Sequence, residues 1–245
     1  MKRPAMLAFG GIVFILAVWE AACLTLDIPD FILPRPTRIA LVAITRSDIL
    51  LPHAAITALE VLLGISISLL VAVPLSITMF AHPSLENAIA PFLVASQAVP
   101  VFAIAPLLVV WLGYGIASKV LMAAVIIFFP ITVNLLEGFK SCDHEYRVLF
   151  QLMGAGFWQT MRLLYGLWAL PQFFSGLKVG VSVATIGAVI GEWVGAQQGL
   201  GYLMIQANAR LKVDLVFAAI LWLSLMGLAL WVLVGYLEKK IITWK

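Results

Sequence analysis

Long runs of apolar residues alternate with short polar segments along almost the whole chain. The runs that are long enough for a membrane span of about 20 residues cover approximately residues 5–26, 53–81, 87–113, 119–139, 173–196 and 215–236. We therefore predict an all-α integral membrane protein with about six transmembrane helices, which form a single domain over residues 1–245.

The composition favours a membrane location. Apolar residues make up 63% of the chain and charged residues 11%, whereas soluble domains carry about 25% charged residues. The formal net charge of +3 is better explained by Lys and Arg anchors at a membrane surface than by nucleic-acid binding. We therefore predict that the chain is embedded in a lipid membrane and does not bind nucleic acid.

The third apolar run contains three prolines and has no charge between Glu86 and Lys119. The prolines are Pro91, Pro100 and Pro106, and each interior proline removes a backbone hydrogen bond and tends to kink a helix. Irregular helix at membrane depth is tolerated beside a cavity. This run is therefore a candidate for lining a translocation path.

The first apolar run could be interpreted as a secretion signal that ends in a lipidated cysteine, Cys23. Against this, Glu20 stands where lipoprotein processing requires an aliphatic residue, and the run is long for a cleaved signal. We predict a retained first span. Cys23 ends an apolar run and Cys142 begins a polar loop, so we predict no disulfide between them.

Six spans place both termini on the same side of the membrane. Nine of the 15 Lys and Arg residues fall on that side and six on the other. Because positively charged loops are typical of the cytoplasmic side, we predict that both termini are cytoplasmic. The same assignment makes residues 140–172 a cytoplasmic loop.

Within this loop, residues 143–171 combine polar and apolar character. The start is too polar to cross a bilayer, with Asp143, Glu145 and Arg147 close together, and the remainder is too apolar for a free loop. Gly154-Ala155-Gly156 separates two short helix-like pieces. A hydrophobic segment outside the bilayer needs a protein surface to cover it, so we predict that a partner protein binds here.

Five positions inside the apolar runs could line a translocation path: Glu60, Gln97, Pro100, Asn134 and Glu192. Burying a charge in hydrocarbon is costly unless the group is paired or hydrated. For Glu60, Gln97 and Asn134 the alternative is helix packing, in which the side chain bonds to a neighbouring helix. For Glu192 the alternative is an anchor at the membrane interface.

The sequence carries no catalytic signature. Its three histidines form no Ser-His-Asp set, and there is neither a His/Cys metal spacing nor a glycine-rich phosphate loop. We predict that the chain is not an enzyme, binds no metal and holds no nucleotide, so any ATP must be bound by a partner. The rival class is a stand-alone, ion-coupled secondary transporter or channel, with Glu60 or Glu192 as its proton-linked group. A scaffold without transport would leave the prolines of the third run unexplained.

Several short motifs occur in one order along the chain. They are Leu33-Pro34-Arg35-Pro36-Thr37-Arg38, Val99-Pro100, Ala105-Pro106-Leu107-Leu108, Trp111-Leu112-Gly113-Tyr114-Gly115, Gly199-Leu200-Gly201-Tyr202 and Asp214-Leu215-Val216-Phe217-Ala218. With them the chain resembles, over nearly its whole length, the permease subunits of bacterial ABC importers in the nitrate, sulfonate and taurine group. The resemblance implies a type I importer permease with a cytoplasmic coupling helix, located in the bacterial cytoplasmic (inner) membrane.

The loop over residues 140–172 falls where these permeases carry the EAA motif, a helix that docks into a cleft of the ATP-binding subunit. Asp143, Glu145, Gly154-Ala155, Trp158 and Leu170-Pro171 match the motif, whereas Val148, Leu149-Phe150 and Leu167 replace its Glu, its two alanines and a further proline. The resemblance implies ATPase-coupling roles for Glu145, Arg147, Leu149, Phe150, Gly154, Ala155 and Trp158. The replacements predict contacts that are more apolar than is usual in the family.

The resemblance also implies partners. These are a second permease copy in a homodimer, cytoplasmic ATP-binding subunits that hold the ATP, and an extracytoplasmic binding protein that delivers a small polar solute. Glu60, together with Gly191-Glu192-Trp193-Val194-Gly195, Tyr202-Leu203-Met204 and Ala207-Asn208-Ala209-Arg210, looks most like permeases for thiamine-precursor pyrimidines. Sulfonate, taurine and nitrate are the alternative solutes.

Overall fold

The computed structural model describes residues 2–244, with side chains from Gly10 onward. Within these residues the chain forms ten helices and no strand. They are α1 (Lys2–Thr25), α2 (Pro36–Thr45), α3 (Ser47–Ala81), α4 (Pro83–Ala98), α5 (Val101–Leu112), α6 (Ile116–Lys140), α7 (His144–Leu152), α8 (Phe157–Gly195), α9 (Leu200–Ala209) and α10 (Val213–Ile241). The protein is therefore an all-α membrane protein, as the sequence predicts.

Four helices are long and apolar enough to cross a membrane, namely α3, α6, α8 and α10. They correspond to the predicted second, fourth, fifth and sixth spans. The first predicted span corresponds to α1, of which Gly10–Thr25 forms a shorter apolar helix. The side chains of Lys2 and Arg3, which were counted among the cytoplasmic cations, lie outside the described residues.

The third predicted span is a pair of helices. α4 and α5 qualify as a span only when taken together, and they are bent by 100° at Val99, where ψ is 121° and the backbone is extended. Val99 precedes Pro100, and proline disfavours the helical conformation of the residue before it. Pro91 and Pro106 lie inside α4 and α5, so one proline of the three ends a helix.

The fifth span starts earlier than predicted. α8 begins at Phe157, not Phe173, and runs to Gly195, with a π-helical segment at Met161–Tyr165. No glycine or proline occurs between Phe157 and Tyr165, so nothing stops the helix there. Residues from Phe157 onward in the coupling loop predicted for residues 140–172 are thus helical, and Pro171 lies inside α8. The bounds of the cytoplasmic loop stay a prediction.

Residues 27–52, between the first two predicted spans, also contain regular structure. α2 has Pro36 in its first turn, where the missing N–H removes no helical hydrogen bond. α3 starts at Ser47, earlier than the predicted start at His53, and carries Asp48 in its first turn. An acidic side chain at that end is stabilised by the helix dipole.

The described residues divide into two compact units. The first comprises residues 2–56 and 197–225, and its buried apolar cluster includes Leu50, Leu200 and Ala218. The second comprises residues 57–196 and 226–244, and its main core is built from α3, α6, α8 and the end of α10. A single permease domain over residues 1–245 stays a prediction.

In the second unit, α6 and α8 approach closely because α8 presents glycine at the contact. A Cβ atom at Gly176 would lie 2.5 Å from the carbonyl oxygen of Pro130, and one at Gly187 would lie 2.8 Å from the Cα of Ala123. Small residues at such positions let helix backbones pack closely in membranes. This packing fixes α8 against α6 and so positions the residues at both of its ends.

Candidate functional site

The segment between α6 and α8 presents apolar side chains and buries almost none. α7 itself has no buried residue. Leu152 is 81% exposed and Trp158 is 71% exposed. We use the name apolar face for the exposed side chains of Leu149, Leu152, Met153, Phe157 and Trp158. A contiguous exposed patch of this kind marks an interaction surface.

Gly154 ends α7 in a conformation that favours glycine. Its φ is +70°, its N–H donates to the carbonyl of Gln151, and the N–H of Ala155 donates to the carbonyl of Phe150. This pair of bonds is the Schellman motif, which closes the C-terminus of a helix. Gly154 therefore sets the direction in which the chain leaves α7 toward α8.

The predicted ATPase-coupling residues all lie in α7, in the turn after it, or in the first turn of α8. Glu145, Leu149, Gly154 and Trp158 are exposed, and Arg147, Phe150 and Ala155 are half-buried. The seven residues are therefore neighbours along the chain, but four of them face outward and three are partly covered by the protein. Their coupling roles stay a prediction.

Arg147 points back toward the end of α6. Its Nε atom donates to the carbonyl of Cys142 at 2.9 Å, and its Nη2 atom donates to the carbonyl of Lys140 at 2.6 Å and also to that of Cys142. The guanidinium carbon lies 5.9 Å from the centroid of the Tyr165 ring. A cation at the C-terminus of a helix is stabilised by the unpaired carbonyls and the helix dipole.

A side chain of α8 also donates a hydrogen bond to the linker between α6 and α7. The indole Nε1 of Trp168 donates to the carbonyl of Ser141 at 3.1 Å, and the rings of Trp168 and Tyr146 lie 5.4 Å apart. Cys142 is a free, buried thiol, as is Cys23. Burial raises the pKa of the Cys142 thiol, with a smaller opposing effect of the hydrogen bond from Arg147, so this thiol is neutral and poorly reactive at neutral pH.

A second candidate site is a buried polar cluster formed by Thr57, Glu60, Lys119 and Glu192. Glu60, Lys119 and Glu192 are at most 3% exposed. The hydroxyl of Thr57 donates to Glu192 Oε1 at 2.6 Å. The Glu60 side chain neighbours both Glu192 and Lys119.

Lys119 contributes the positive charge of this cluster. Its Nζ donates to the carbonyls of Tyr114 at 2.6 Å, Gly115 at 2.9 Å and Gly195 at 2.6 Å. All three N–H donors of the ammonium group are therefore used. The side chain ties the turn before α6 to the C-terminus of α8, where a cation is favoured.

Two members of this cluster, Glu60 and Glu192, are residues that the sequence predicts for the translocation path. Glu60 is packed between helices, which is the alternative considered for it, and its Oε2 atom has no hydrogen-bond partner within residues 10–244. Glu192 is 1% exposed, and its place in the translocation path or at the membrane interface stays a prediction. Removing one partner from a buried charge cluster typically costs about 3–5 kcal/mol, because the remaining charge is left unpaired. We therefore expect single substitutions at Glu60, Lys119 or Glu192 to destabilise the packing of α3, α6 and α8.

The other predicted path residues lie elsewhere in the second unit. Gln97 and Pro100 are exposed at the break between α4 and α5. Asn134 is half-buried, and its Nδ2 donates to the carbonyl of Pro130 at 2.8 Å in its own helix. Asn134 also lies against Gly176, so its contacts are those of helix packing.

Lys119 and Trp168 are residues that the sequence did not single out. Lys119 was counted only as a cation outside the cytoplasm, and Trp168 was part of an apolar stretch. One signal was available for Lys119. It is the only charge between Glu86 and Glu137, and a charge in such a position needs a partner.

The chain matches the family described as "Binding-protein-dependent transport system inner membrane component" over residues 64–243. It is 40% identical to the "Probable ABC transporter permease protein" of Haemophilus influenzae, with 93% of each chain covered. It is 38% identical to the formylaminopyrimidine transport permease protein ThiX of Halalkalibacterium halodurans, over 94% of this chain and 92% of that protein. It is also 38% identical to the riboflavin transport system permease protein RibX of Chloroflexus aurantiacus, over 96% and 88%.

A more distant relative is the taurine transport system permease protein TauC of Escherichia coli, at 26% identity over 100% of this chain and 91% of that protein. The resemblance to the sulfonate and taurine group, with its pyrimidine branch, is thereby confirmed. Such chains are multi-pass transport components of the inner membrane and not enzymes, and they work with an ATP-binding subunit and a substrate-binding protein. The chain therefore belongs to the family of binding-protein-dependent transport system inner membrane components and is a permease subunit of an ABC importer.

Proposed function

We propose that α7 and its flanking turns dock this permease onto the ATP-binding subunit. The observation that carries the proposal is the apolar face, which is exposed on α7, the turn after it and the first turn of α8. Leaving these side chains in water is unfavourable by roughly 25 cal/mol per Å² of apolar surface. A partner surface that covers them therefore gains most of this energy on binding.

The apolar character of the face indicates what the partner presents. Leu149 and Phe150 stand where the family motif has small residues, and Leu149 is exposed. The ATP-binding subunit is therefore expected to offer an apolar cleft with little charge. ATP is bound by that subunit, and this chain needs no cofactor of its own.

Movement of the docked segment reaches the membrane through α8. The turn after α7 leads directly into α8, which runs from Phe157 to Gly195 and is packed closely on α6. A rigid helix transmits a displacement at one end along its whole length. Closure of the ATP-binding subunits around ATP would therefore tilt α8 and switch which side of the path is open, as in alternating access.

The path itself is assigned to the face around the break between α4 and α5. Gln97 and Pro100 are exposed there, beside Val99 and Phe102. Irregular backbone in a membrane is tolerated where it lines a cavity or is covered by protein. We assign this face to the interface with a second permease copy, and the buried cluster around Glu60 and Glu192 to the support of that path.

The relatives favour a solute that contains a pyrimidine ring. ThiX and RibX, the permeases named for formylaminopyrimidine and riboflavin, are each 38% identical to this chain, whereas the taurine permease TauC is 26% identical. Formylaminopyrimidine and the flavin of riboflavin both contain a pyrimidine ring. Uptake into vesicles that hold the complete importer with its binding protein is expected for one of these solutes, and uptake of taurine alone would contradict the assignment.

Docking is tested by adding a charge to the apolar face. Leu152→Asp and Trp158→Asp are expected to reduce co-purification of the ATP-binding subunit by about tenfold or more, because central apolar anchors carry most of the energy of an interface. Gln159→Asp is the matched control, since it adds the same charge at an exposed polar position of the same turn. If all three variants co-purify with as much ATP-binding subunit as the unaltered permease does, the docking proposal is wrong.

A further inference from the structure

α7 has few contacts of its own to hold it in place. It is nine residues long and has no buried residue. Residues 141–143 join it to α6 and residues 153–156 join it to α8. A helix this short is marginal in isolation. Its orientation therefore depends on the side chains that bond it to the neighbouring helices.

Arg147 is the side chain of α7 that makes such bonds in two directions. Toward α6, it donates to the carbonyl of Lys140 at 2.6 Å and to that of Cys142 at 2.9 Å. Toward α8, its guanidinium lies over the ring of Tyr165. Hydrogen bonds with an ionised donor are among the stronger ones in proteins, and the carbonyl of Lys140 belongs to the negative end of the α6 dipole.

Trp168 of α8 contacts both α7 and the linker that joins α7 to α6. Its Nε1 donates to the carbonyl of Ser141, which lies between the two carbonyls that accept from Arg147. Its ring also packs against Tyr146 of α7. The last carbonyl of α6 and the carbonyls of the next two residues, Ser141 and Cys142, are thus bonded by one side chain from α7 and one from α8.

We propose that Arg147 is the positioning residue that sets the orientation of α7 relative to α6 and α8, with Trp168 as its support. The proposal rests on the proposed docking function, because the orientation matters only if α7 carries movement from a partner. Arg147 acts through α7, and its guanidinium is turned toward the permease and away from the apolar face. The family resemblance implied an ATPase-coupling role for Arg147, and the geometry points to a role in which Arg147 holds α7 in place rather than contacting the ATP-binding subunit.

The first test measures hydrogen exchange in the purified permease without its partner. Arg147→Met removes the guanidinium but keeps much of the side-chain stem, and exchange of the α7 amides is expected to become about tenfold faster or more. Trp168→Phe, which keeps a ring against Tyr146 and loses the bond to Ser141, is expected to show a smaller increase. Arg162→Met is the control, since it removes an exposed cation nearby and is expected to leave α7 exchange unchanged.

The second test uses the assembled importer. In Arg147→Met the ATP-binding subunit is expected to remain bound, because the apolar face is intact. ATP hydrolysis stimulated by the binding protein is expected to fall by about tenfold, which corresponds to about 1.4 kcal/mol. Arg147→Lys keeps the charge without the forked geometry and is expected to restore part of the stimulation.

The outcomes distinguish two roles for Arg147, namely holding α7 in its orientation and contacting the ATP-binding subunit directly. Unchanged α7 exchange in both Arg147→Met and Trp168→Phe overturns the proposal. Loss of the ATP-binding subunit from Arg147→Met with unchanged exchange also overturns it, and assigns Arg147 to the contact surface. If Arg147→Met does not fold, Arg147→Lys and Trp168→Phe decide the question by the same exchange measurement. If the charge variants of the apolar face still bind the subunit, the docking function fails, whereas the exchange result still decides what holds α7.

Discussion

Gly154 and Gly156 lie in the same turn after α7 but differ in backbone conformation. Gly154 has a φ of +70°, whereas Gly156 has a φ of −73°. A Cβ at either position would meet no atom within 4 Å, so the two sites differ in their backbone and not in their space. The left-handed conformation costs an L-residue about 1–2 kcal/mol.

This difference makes the two glycines a matched pair for a coupling experiment. Gly154→Ala is expected to strain the Schellman turn and to lower the ATP hydrolysis that the binding protein stimulates, while the permease stays folded. Gly156→Ala is expected to leave the stimulation unchanged. Equal activity of both variants in reconstituted vesicles would show that the direction of the chain at Gly154 does not affect coupling.

For individual residues, the sequence predicted which charged side chains lie inside apolar runs but not which atoms they contact. Glu60 and Glu192 were both recognised as charges inside apolar runs, with packing as an alternative for Glu60. Neither the proximity of Glu60 to Glu192 nor the three carbonyls bonded by Lys119 could be read from spacing. The partners are distant along the chain, and no local rule relates them.

Among the elements, the α6–α8 pair gives the sharpest stability prediction. Gly176→Ala places a Cβ 2.5 Å from a backbone oxygen of α6, so the helices must separate, and overpacking of this kind costs about 1–3 kcal/mol. Gly227→Ala is the control, because a Cβ there would lie 3.8 Å from a side-chain atom of Thr185. Thermal unfolding in detergent is expected to show a lower midpoint for Gly176→Ala only, and equal midpoints would contradict the close packing.

The elements also show where sequence patterns stop being informative. Apolar runs predicted the centres of α3, α6, α8 and α10, because hydropathy is a sum over neighbouring residues. The ends were less well predicted. Three prolines gave the same local signal in the third run, yet only Pro100 ends a helix, while Pro91 and Pro106 lie within α4 and α5. The packing of each segment decides which proline is accommodated.

For the whole molecule, the charge bias predicts that α7 faces the cytoplasm and that the turn before α10 faces outside. In a permease with single added cysteines, a membrane-impermeant maleimide applied to intact cells from which any outer membrane has been removed is expected to label Lys212→Cys and not Leu152→Cys. Both positions are exposed, and the native thiols are buried, so the background is low. The reverse labelling pattern would invert the orientation and remove the apolar face from the compartment of the ATP-binding subunit.

The sequence by itself determined the class of this protein. Apolar runs of span length are stable only in lipid, and the segment at residues 143–171 is too apolar to remain uncovered, so a membrane protein with a bound partner follows from local composition. Only the tertiary structure decided that Arg147 holds α7 and that Glu60, Lys119 and Glu192 share one buried cluster. Hydrophobicity is a property of each short stretch of chain, whereas a hydrogen bond between distant residues exists only after the helices have packed.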